Sequence, residues 1–176
     1  MHLFLTGEIQ VGKSTLIRQA VRQLGVTPGG FVTGFCSRER SLPDRSLYLN
    51  PAWTEPAYDP AHTVVRFRSG ERPSPDPAAF NRLGCRFIEE SRGWANLMIM
   101  DECGQLEQEA DAFRQCVLDS LNGSVPVIGV LKRVRCEWLD AIARHPAVTL
   151  IEVTVHNRDG LLPQVTERLA RAVNPS

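Results

Sequence analysis

The sequence has no excess of charge of either sign, since its 20 Lys and Arg residues match its 20 Asp and Glu residues. Nucleic acids and anionic membranes attract proteins through concentrated positive charge, so neither is an expected partner of this chain. Long hydrophobic runs are also missing. No stretch approaches the roughly 20 apolar residues that span a bilayer, and Met1–Thr6 lacks the basic lead-in of a signal peptide. These absences predict a chain with no membrane partner, and they disfavour nucleic acid as a partner.

Cysteine and histidine are sparse and show no ligand spacing. The five cysteines are odd in number and include no Cys-x-x-Cys pair, and the four histidines are scattered along the chain. A disulfide framework or a zinc site would need paired or closely spaced ligands. Reduced thiols and a cytoplasmic location are therefore the simpler interpretation.

Short apolar segments alternate with segments of helical periodicity along the 176 residues, a length that suits one domain with a proper core. The continuous apolar run Leu97–Met100 is typical of a strand buried on both faces of a parallel sheet. Alternating strands and helices predict a doubly wound α/β domain over 1–176. The expected strands cover 2–6, 30–38, 63–68, 97–100, 125–131 and 148–153, and the expected helices cover 13–24, 77–92, 107–121, 136–144 and a last segment that ends near Val173, with Pro163 disturbing its start.

The stretch 39–75 is the least regular part of the chain. It contains several prolines and few periodic apolar positions, apart from a short hairpin expected around Ser46–Leu49. We interpret this stretch as an irregular insertion or lid.

A phosphate-binding motif lies between the first strand and the first helix. Such a loop wraps a phosphate with backbone N–H groups, and the helix that follows points its positive dipole end at the anion. Lys13 is expected to neutralise the β- and γ-phosphates, and the Ser14 hydroxyl to bind Mg²⁺. The motif predicts a bound nucleoside triphosphate. It matches Gly-x-x-x-x-Gly-Lys-Ser/Thr and its residues are Gly7, Glu8, Ile9, Gln10, Val11, Gly12, Lys13, Ser14 and, next to it, Thr15.

Two acidic residues follow the buried run Leu97–Met100 and supply the second half of such a site. Asp101 lies at the carboxyl end of a strand, where open α/β sheets bind ligands, and is the expected second ligand of Mg²⁺. Glu102 comes next and can polarise a water molecule for attack on the γ-phosphorus, so it is the expected catalytic carboxylate. Phosphoryl transfer usually uses a further cation. Lys132 and Arg133, just past another strand, are among the candidates, and we favour Arg133.

These residues resemble the small P-loop family often named cancer-related nucleoside-triphosphatase, and the resemblance covers nearly the whole chain. Besides the P-loop, Gly30–Thr33 is similar to a Gly-Phe-Tyr-Thr segment of the family, and Asp101–Glu107 to its Asp-Glu-Ile-Gly-Lys-Met-Glu signature. Thr154–Arg158, followed by Leu161–Pro163, is similar to its Thr-x-x-Asn-Arg and Leu-Pro segment. The resemblance implies a three-layer P-loop fold with a mainly parallel, RecA-like sheet flanked by helices. It also implies Mg²⁺-dependent hydrolysis of ATP, GTP and other triphosphates to diphosphates.

The same resemblance implies that Asn157 and Arg158 lie near the nucleotide. The loop departs from the family pattern at Glu8, Ile9 and Gln10, which stand where the family commonly has Pro-Pro-Gly. Two other classes of protein therefore stay open beside a nucleoside-triphosphatase. One is a nucleoside or nucleotide kinase, in which a second substrate replaces water, and the other is a nucleotide-binding module with little turnover. The adjacent acidic residues favour hydrolysis.

Overall fold

The structure, a computed structural model, describes residues 1–174 and contains eight strands and five helices in that range. A short 3₁₀ turn, Pro60–His62, precedes the fourth strand. None of the helices in the described range is both long enough and apolar enough to traverse a bilayer. The elements in chain order are β1 (His2–Thr6), α1 (Lys13–Leu24), β2 (Gly29–Phe35), β3 (Arg45–Pro51), β4 (Thr63–Phe67), β5 (Ser74–Pro75), α2 (Pro77–Arg92), β6 (Met98–Cys103), α3 (Asp111–Leu121), β7 (Val127–Leu131), α4 (Glu137–Ala143), β8 (Val148–Glu152) and α5 (Arg158–Val173).

All eight strands belong to one sheet with the order β5-β4-β3-β2-β6-β7-β1-β8. The five strands from β2 to β8 in this order are parallel, whereas β3, β4 and β5 extend the sheet by antiparallel pairing. β7 lies between β1 and β6, because Gly129 pairs with Phe4 on one side and with Met100 on the other. The carboxyl ends of β1, β7 and β6 therefore meet at one edge of the sheet. The mainly parallel, RecA-like sheet expected from the resemblance is confirmed.

Two hydrophobic cores cover the two faces of the sheet and give the expected three layers. Alternate residues of β1 show how they form, because Leu3 and Leu5 pack beneath α1 and α5, while Phe4 packs on the other face with α2, α3 and α4. All three side chains are fully buried, and burying such a side chain stabilises a fold by about 1.5–3 kcal/mol. Gly129 leaves room for Phe4, since a Cβ there would lie 2.4 Å from the Phe4 ring.

The structure corrects the expectation of an irregular segment at 39–75. This stretch contributes β3, β4 and β5, which lengthen the sheet beyond β2. β4 lies at the strand expected over 63–68, and β3 includes the hairpin expected around Ser46–Leu49, whereas the length of β3 and the presence of β5 were not expected. Four successive residues of β3, Leu47–Asn50, are buried, so β3 lacks the alternation of apolar and polar side chains that reveals a strand with one exposed face.

The third helix also begins later than expected, at Asp111 and not at Glu107. Glu107 is instead part of a turn, in which its Oε2 accepts a hydrogen bond of 2.9 Å from the backbone N–H of Gly104. A side chain that bonds the backbone three residues earlier offers the chain an alternative to a helix. Pro163 lies inside α5, and the helix continues through it to Val173.

Candidate active site

The loop between β1 and α1 is shaped by three residues with positive φ, namely Gly7 (138°), Gln10 (62°) and Gly12 (105°). Gly7 has no room for a side chain, because a Cβ would lie 2.2 Å from the carbonyl oxygen of Val153 at the end of β8. Gly12 is the N-cap of α1, and no side chain caps this helix. The N–H groups of its first turn therefore lack intrahelical acceptors and are available to an anion.

The other residues of the loop differ in exposure. Val11 is buried in the core beneath α1 and fixes the loop to the domain. Ile9 is 77% exposed, and the carboxylate of Glu8 also faces solvent. Thr15 is exposed on α1, where its hydroxyl accepts a long hydrogen bond of 3.4 Å from Arg18. The two residues that depart most in character from the family pattern, Glu8 and Ile9, are thus both exposed to solvent.

Lys13 is buried at the start of α1, and its ammonium group is held against the loop. Its Nζ donates hydrogen bonds to the carbonyl oxygens of Gly7 (2.9 Å) and Glu8 (2.6 Å). Burial lowers the pKa of Lys13, and the negative charges nearby, that of Glu102 first, oppose this effect. The ammonium group is therefore close both to the loop and to the acidic residues that follow β6.

Ser14 and Asp101, 87 residues apart in the chain, meet across the site, where Ser14 Oγ donates a 3.0 Å hydrogen bond to Asp101 Oδ1. Asp101 is 9% exposed. Burial raises its pKa to about 6, against the opposing effect of the Ser14 hydrogen bond. The predicted pairing of a loop hydroxyl with a strand-end carboxylate is thus present in the structure.

The donor set at this point suits Mg²⁺. It consists of two hard oxygen atoms, one from Ser14 and one from Asp101, and within residues 1–174 no group of three or more His, Cys, Asp or Glu side chains could hold a metal ion. Mg²⁺ commonly binds through one or two carboxylates together with waters and substrate phosphates, and not in an all-protein cage. These residues fit a metal that arrives with a nucleotide.

Glu102 follows Asp101 at the same edge of the sheet, with a side chain that is 37% exposed. Thr33 of the neighbouring strand β2 holds the backbone between these two residues. Its hydroxyl donates to the carbonyl oxygen of Asp101 (3.2 Å) and accepts from the N–H of Glu102 (3.2 Å). Thr33 was not among the predicted site residues. The signal that could have found it is a hydroxyl residue near the carboxyl end of a strand parallel to β6.

The two neighbouring cations after β7 lie in different surroundings. The Nζ of Lys132 is 3.3 Å from Glu102 Oε1. Arg133, which the sequence favoured, donates instead to Glu152 Oε1 (2.9 Å) and lies 3.6 Å from Glu8 Oε1. Both of its ion pairs are exposed to solvent. The cation that contacts the acidic pair is therefore Lys132.

Asn157 and Arg158, at the start of α5, also differ in what they contact. The side chain of Asn157 is engaged by the loop before it, since Oδ1 accepts from the N–H of Thr154 (2.8 Å) and Nδ2 donates to the carbonyl oxygen of Glu152 (2.9 Å). Arg158 borders the phosphate loop, because a Cβ on Gly12 would lie 3.8 Å from its Cδ. Asn157 supports the segment that carries Arg158, and Arg158 is the residue beside the loop.

Comparison with known proteins links this geometry to a family. A family model described as NTPase matches residues 2–166. The nucleoside-triphosphatase THEP1 of Natranaerobius thermophilus is 25% identical over 96% of either chain, and a cancer-related nucleoside-triphosphatase homolog of Bos taurus is 27% identical over 96% of either chain. The crystal structure of THEP1 from the hyperthermophile Aquifex aeolicus is similar with a TM-score of 0.77 at 24% identity, covering 96% of this chain and 99% of that chain. Sequence and fold agree over nearly the same length.

Proposed function

Since the chain belongs to the NTPase family and is a nucleoside-triphosphatase, we propose that it hydrolyses ATP, GTP and related triphosphates with Mg²⁺, using the residues at the carboxyl edge of its sheet. The observation that carries this proposal is the 3.0 Å contact between Ser14 Oγ and Asp101 Oδ1. It brings a hydroxyl from the first turn of α1 and a carboxylate from β6 to the distance at which both can share one metal ion with a phosphate.

The loop from Gly7 to Thr15 is proposed to hold the β- and γ-phosphates. Its backbone N–H groups and the uncapped start of α1 present positive dipole ends to the anion. Lys13 has its ammonium group at the same place, on the carbonyl oxygens of Gly7 and Glu8. These contacts are neutral acceptors, so phosphate oxygens are stronger partners for this charge.

Ser14 and Asp101 are proposed to hold Mg²⁺. When bound, the ion neutralises charge on the β- and γ-phosphate oxygens. Burial raises the pKa of Asp101, and a cation beside a carboxylate favours its ionised form. Asp101 is thus a buried acid that gains from a cation partner at this position.

Glu102 is proposed to be the catalytic carboxylate that orients the attacking water. Thr33 fixes the backbone of Glu102 through the hydrogen bond from its N–H, so the carboxylate extends from a defined point. Arg158 is proposed to contact the nucleotide from its place beside Gly12, with Asn157 holding the segment in shape. Arg133 is proposed to act at the rim, where it neutralises the exposed charge of Glu8.

The location of the protein is a further part of the proposal. All five cysteines lie within the described residues and none forms a disulfide. Free thiols in this number are typical of a reducing compartment, which favours the cytoplasm.

Phosphate release from ATP, GTP, CTP and UTP, with Mg²⁺ or with EDTA, tests the proposal. We expect release from all four only with Mg²⁺, and a loss of about 10²-fold or more in Lys13→Ala, since a preorganised charge at a phosphoryl group contributes on this order. Arg86→Gln is the control, because it removes one positive charge from an exposed position on α2. Equal release in EDTA, or in Lys13→Ala, would contradict the proposal. Transfer of label from ATP to an added nucleoside would indicate a kinase.

A further inference from the structure

Lysine occurs twice in this chain, at Lys13 and Lys132, and the rest of its 20 Lys and Arg residues are arginines. The two lysines lie far apart in sequence but at the same edge of the sheet. Lys13 begins α1 after the loop that follows β1. Lys132 comes directly after β7, the strand that lies between β1 and β6. Both ammonium groups are therefore close to the gap between the phosphate loop and the acidic pair.

Three observations place the charge of Lys132 in this gap. Its Nζ lies 3.3 Å from Glu102 Oε1. Its side chain is only 27% exposed, less than the 61% of the neighbouring Arg133. It also directly follows β7, the strand between β1, which leads into the phosphate loop, and β6, which carries Glu102. Its ammonium group thus lies beside the proposed catalytic carboxylate, on a strand between those that lead to the two halves of the site.

The direction of Lys132 is fixed by the turn beneath it. Its backbone N–H donates to the carbonyl oxygen of Cys103 (2.9 Å), which continues the pairing of β7 with β6. Its stem passes over Gly104, where a Cβ would lie 3.2 Å from Lys132 Cδ. Two buried side chains satisfy the backbone of Gly104, because Glu107 Oε2 accepts from its N–H (2.9 Å) and Trp138 Nε1 donates to its carbonyl oxygen (3.0 Å). These two hydrogen bonds fix the backbone beneath the Lys132 side chain, which therefore extends along the carboxyl edge of the sheet.

We propose that Lys132 is the second catalytic cation of this site, orienting Glu102 and supplying positive charge to the phosphoryl group that is transferred. This is the role for which the sequence favoured Arg133. The inference rests on the proposed function, in which Glu102 orients the water. Arg133 is less suited to the role, because its guanidinium group pairs with Glu152 and Glu8 in contacts that are exposed to solvent.

The chemistry suits this placement. An oxygen of water bonds to the γ-phosphorus while the bond to the β–γ bridging oxygen breaks, and that oxygen keeps the electron pair. The proton of the water passes by way of Glu102 to solvent. Lys132 donates one N–H to Glu102 and has two more to present to γ-phosphoryl oxygens. The transition state of phosphoryl transfer is loose and depends on positioning and charge more than on early proton removal, which suits a cation that orients Glu102.

Steady-state kinetics of Lys132→Gln and Lys132→Arg test the inference, with Arg86→Gln as the control for loss of one charge. We expect Lys132→Gln to lower kcat about 10²-fold, with KM and the affinity for a fluorescent ATP analogue within about threefold of wild type. Lys132→Arg should recover at least about a tenth of the wild-type kcat, since it restores the charge. A purely structural role would not show this split between kcat and KM, nor recovery by arginine.

Selective ¹³C labelling of lysine gives a second readout, because the ε-carbon signals come from Lys13 and Lys132 alone and Lys132→Arg assigns them. We expect the Lys132 signal to move in Glu102→Gln, and again when ADP, Mg²⁺ and aluminium fluoride are added to wild type. A Lys132 signal that moves in neither case, or a kcat of Lys132→Gln within about twofold of wild type while Lys13→Ala is inactive, would overturn the inference and leave the proposed function standing. Wild-type rates in Lys13→Ala, Glu102→Gln and Lys132→Gln alike would overturn the proposed site as well.

Discussion

Glu102→Gln removes one negative charge from the edge of the sheet while leaving the local structure in place. Gln has nearly the same size, and the hydrogen bond from the backbone N–H of residue 102 to Thr33 Oγ1 does not involve the side chain. The ion pair with Lys132 is partly exposed on both sides, at 37% and 27%, and exposed pairs contribute about 0–1 kcal/mol to stability. The free energy of unfolding should therefore fall by no more than about 1 kcal/mol.

The effect on catalysis should be larger than the effect on stability. Positioned acid–base groups contribute about 10²–10⁴ in rate, which is about 3–5 kcal/mol of activation free energy. We expect a loss of about 10²-fold, at the lower end, because phosphoryl transfer depends on positioning and charge more than on proton removal. Nucleotide affinity should stay close to that of wild type, since the loop and the Ser14–Asp101 pair are untouched.

Single-turnover phosphate release at saturating ATP and Mg²⁺ measures this loss, and titration with a fluorescent ATP analogue and urea unfolding measure binding and stability. Glu109→Gln is the matched control, because Glu109 is an exposed carboxylate seven residues further along the chain. It should release phosphate as wild type does. If Glu102→Gln folds normally and turns over within about twofold of wild type, Glu102 has no part in the mechanism.

Three further substitutions test the loop, the buried acid and the core. Gly7→Ala places a methyl group 2.2 Å from the carbonyl oxygen of Val153 at a φ of 138°, so urea unfolding should show a loss of about 1–3 kcal/mol together with weaker nucleotide binding; wild-type values for both would contradict the loop geometry. Asp101→Asn removes a carboxylate whose pKa burial raises to about 6. At pH 8 in EDTA the charge of this carboxylate destabilises the fold, so the substitution should raise the free energy of unfolding by up to about 3 kcal/mol, while turnover with Mg²⁺ falls. A less stable variant would refute this. His2 is buried, and its Nδ1 accepts a hydrogen bond from the N–H of Val127 (3.2 Å). Burial lowers the pKa of His2 to about 4. The folded protein therefore keeps His2 neutral, while the unfolded chain protonates it below its ordinary pKa of 6.5. The stability difference between wild type and His2→Gln should therefore shrink by about 3 kcal/mol as pH falls from about 6.5 to 4, and a difference that does not change with pH would contradict the buried neutral histidine.

The parallel half of the fold follows from local patterns in the sequence. The apolar run of β1, the glycines of the loop and the helical spacing of Leu16, Ile17 and Ala20 predict a strand, a turn and a helix, and the structure has all three. The antiparallel half was predicted only in part: a strand was expected at 63–68, where β4 lies, and a short hairpin around Ser46–Leu49, but the full extent of β3, which is buried on both faces, and the two-residue β5 were not. Strands like these are stabilised by pairing with distant segments, and no local periodicity reports that pairing.

The site was predictable where chemistry and spacing coincide. The loop motif marks one side, and an acidic residue at the end of a buried strand marks the other. The sequence therefore pairs Ser14 with Asp101, and the structure brings their oxygen atoms to 3.0 Å. The choice between Lys132 and Arg133 depends on the direction in which each side chain leaves the end of β7. Successive residues after a strand point in different directions, and the direction of each is set by the last hydrogen bond to the neighbouring strand, here from the N–H of Lys132 to Cys103. The sequence does not reveal that register.

The balance of charge at this edge explains why one more cation matters there. The chain as a whole is neutral, so long-range attraction contributes little to capture of an anionic nucleotide. Asp101 and Glu102 would repel a triphosphate, and Lys13 alone cannot offset both acids and the phosphates. With Lys132 beside Glu102, each acid of the proposed site has a positive charge nearby, from the proposed metal ion for Asp101 and from this lysine for Glu102. Removing Lys132 leaves Glu102 unopposed next to the γ-phosphate, and this repulsion is greatest when the water held by Glu102 must approach the phosphorus. The loss should accordingly fall on turnover more than on binding.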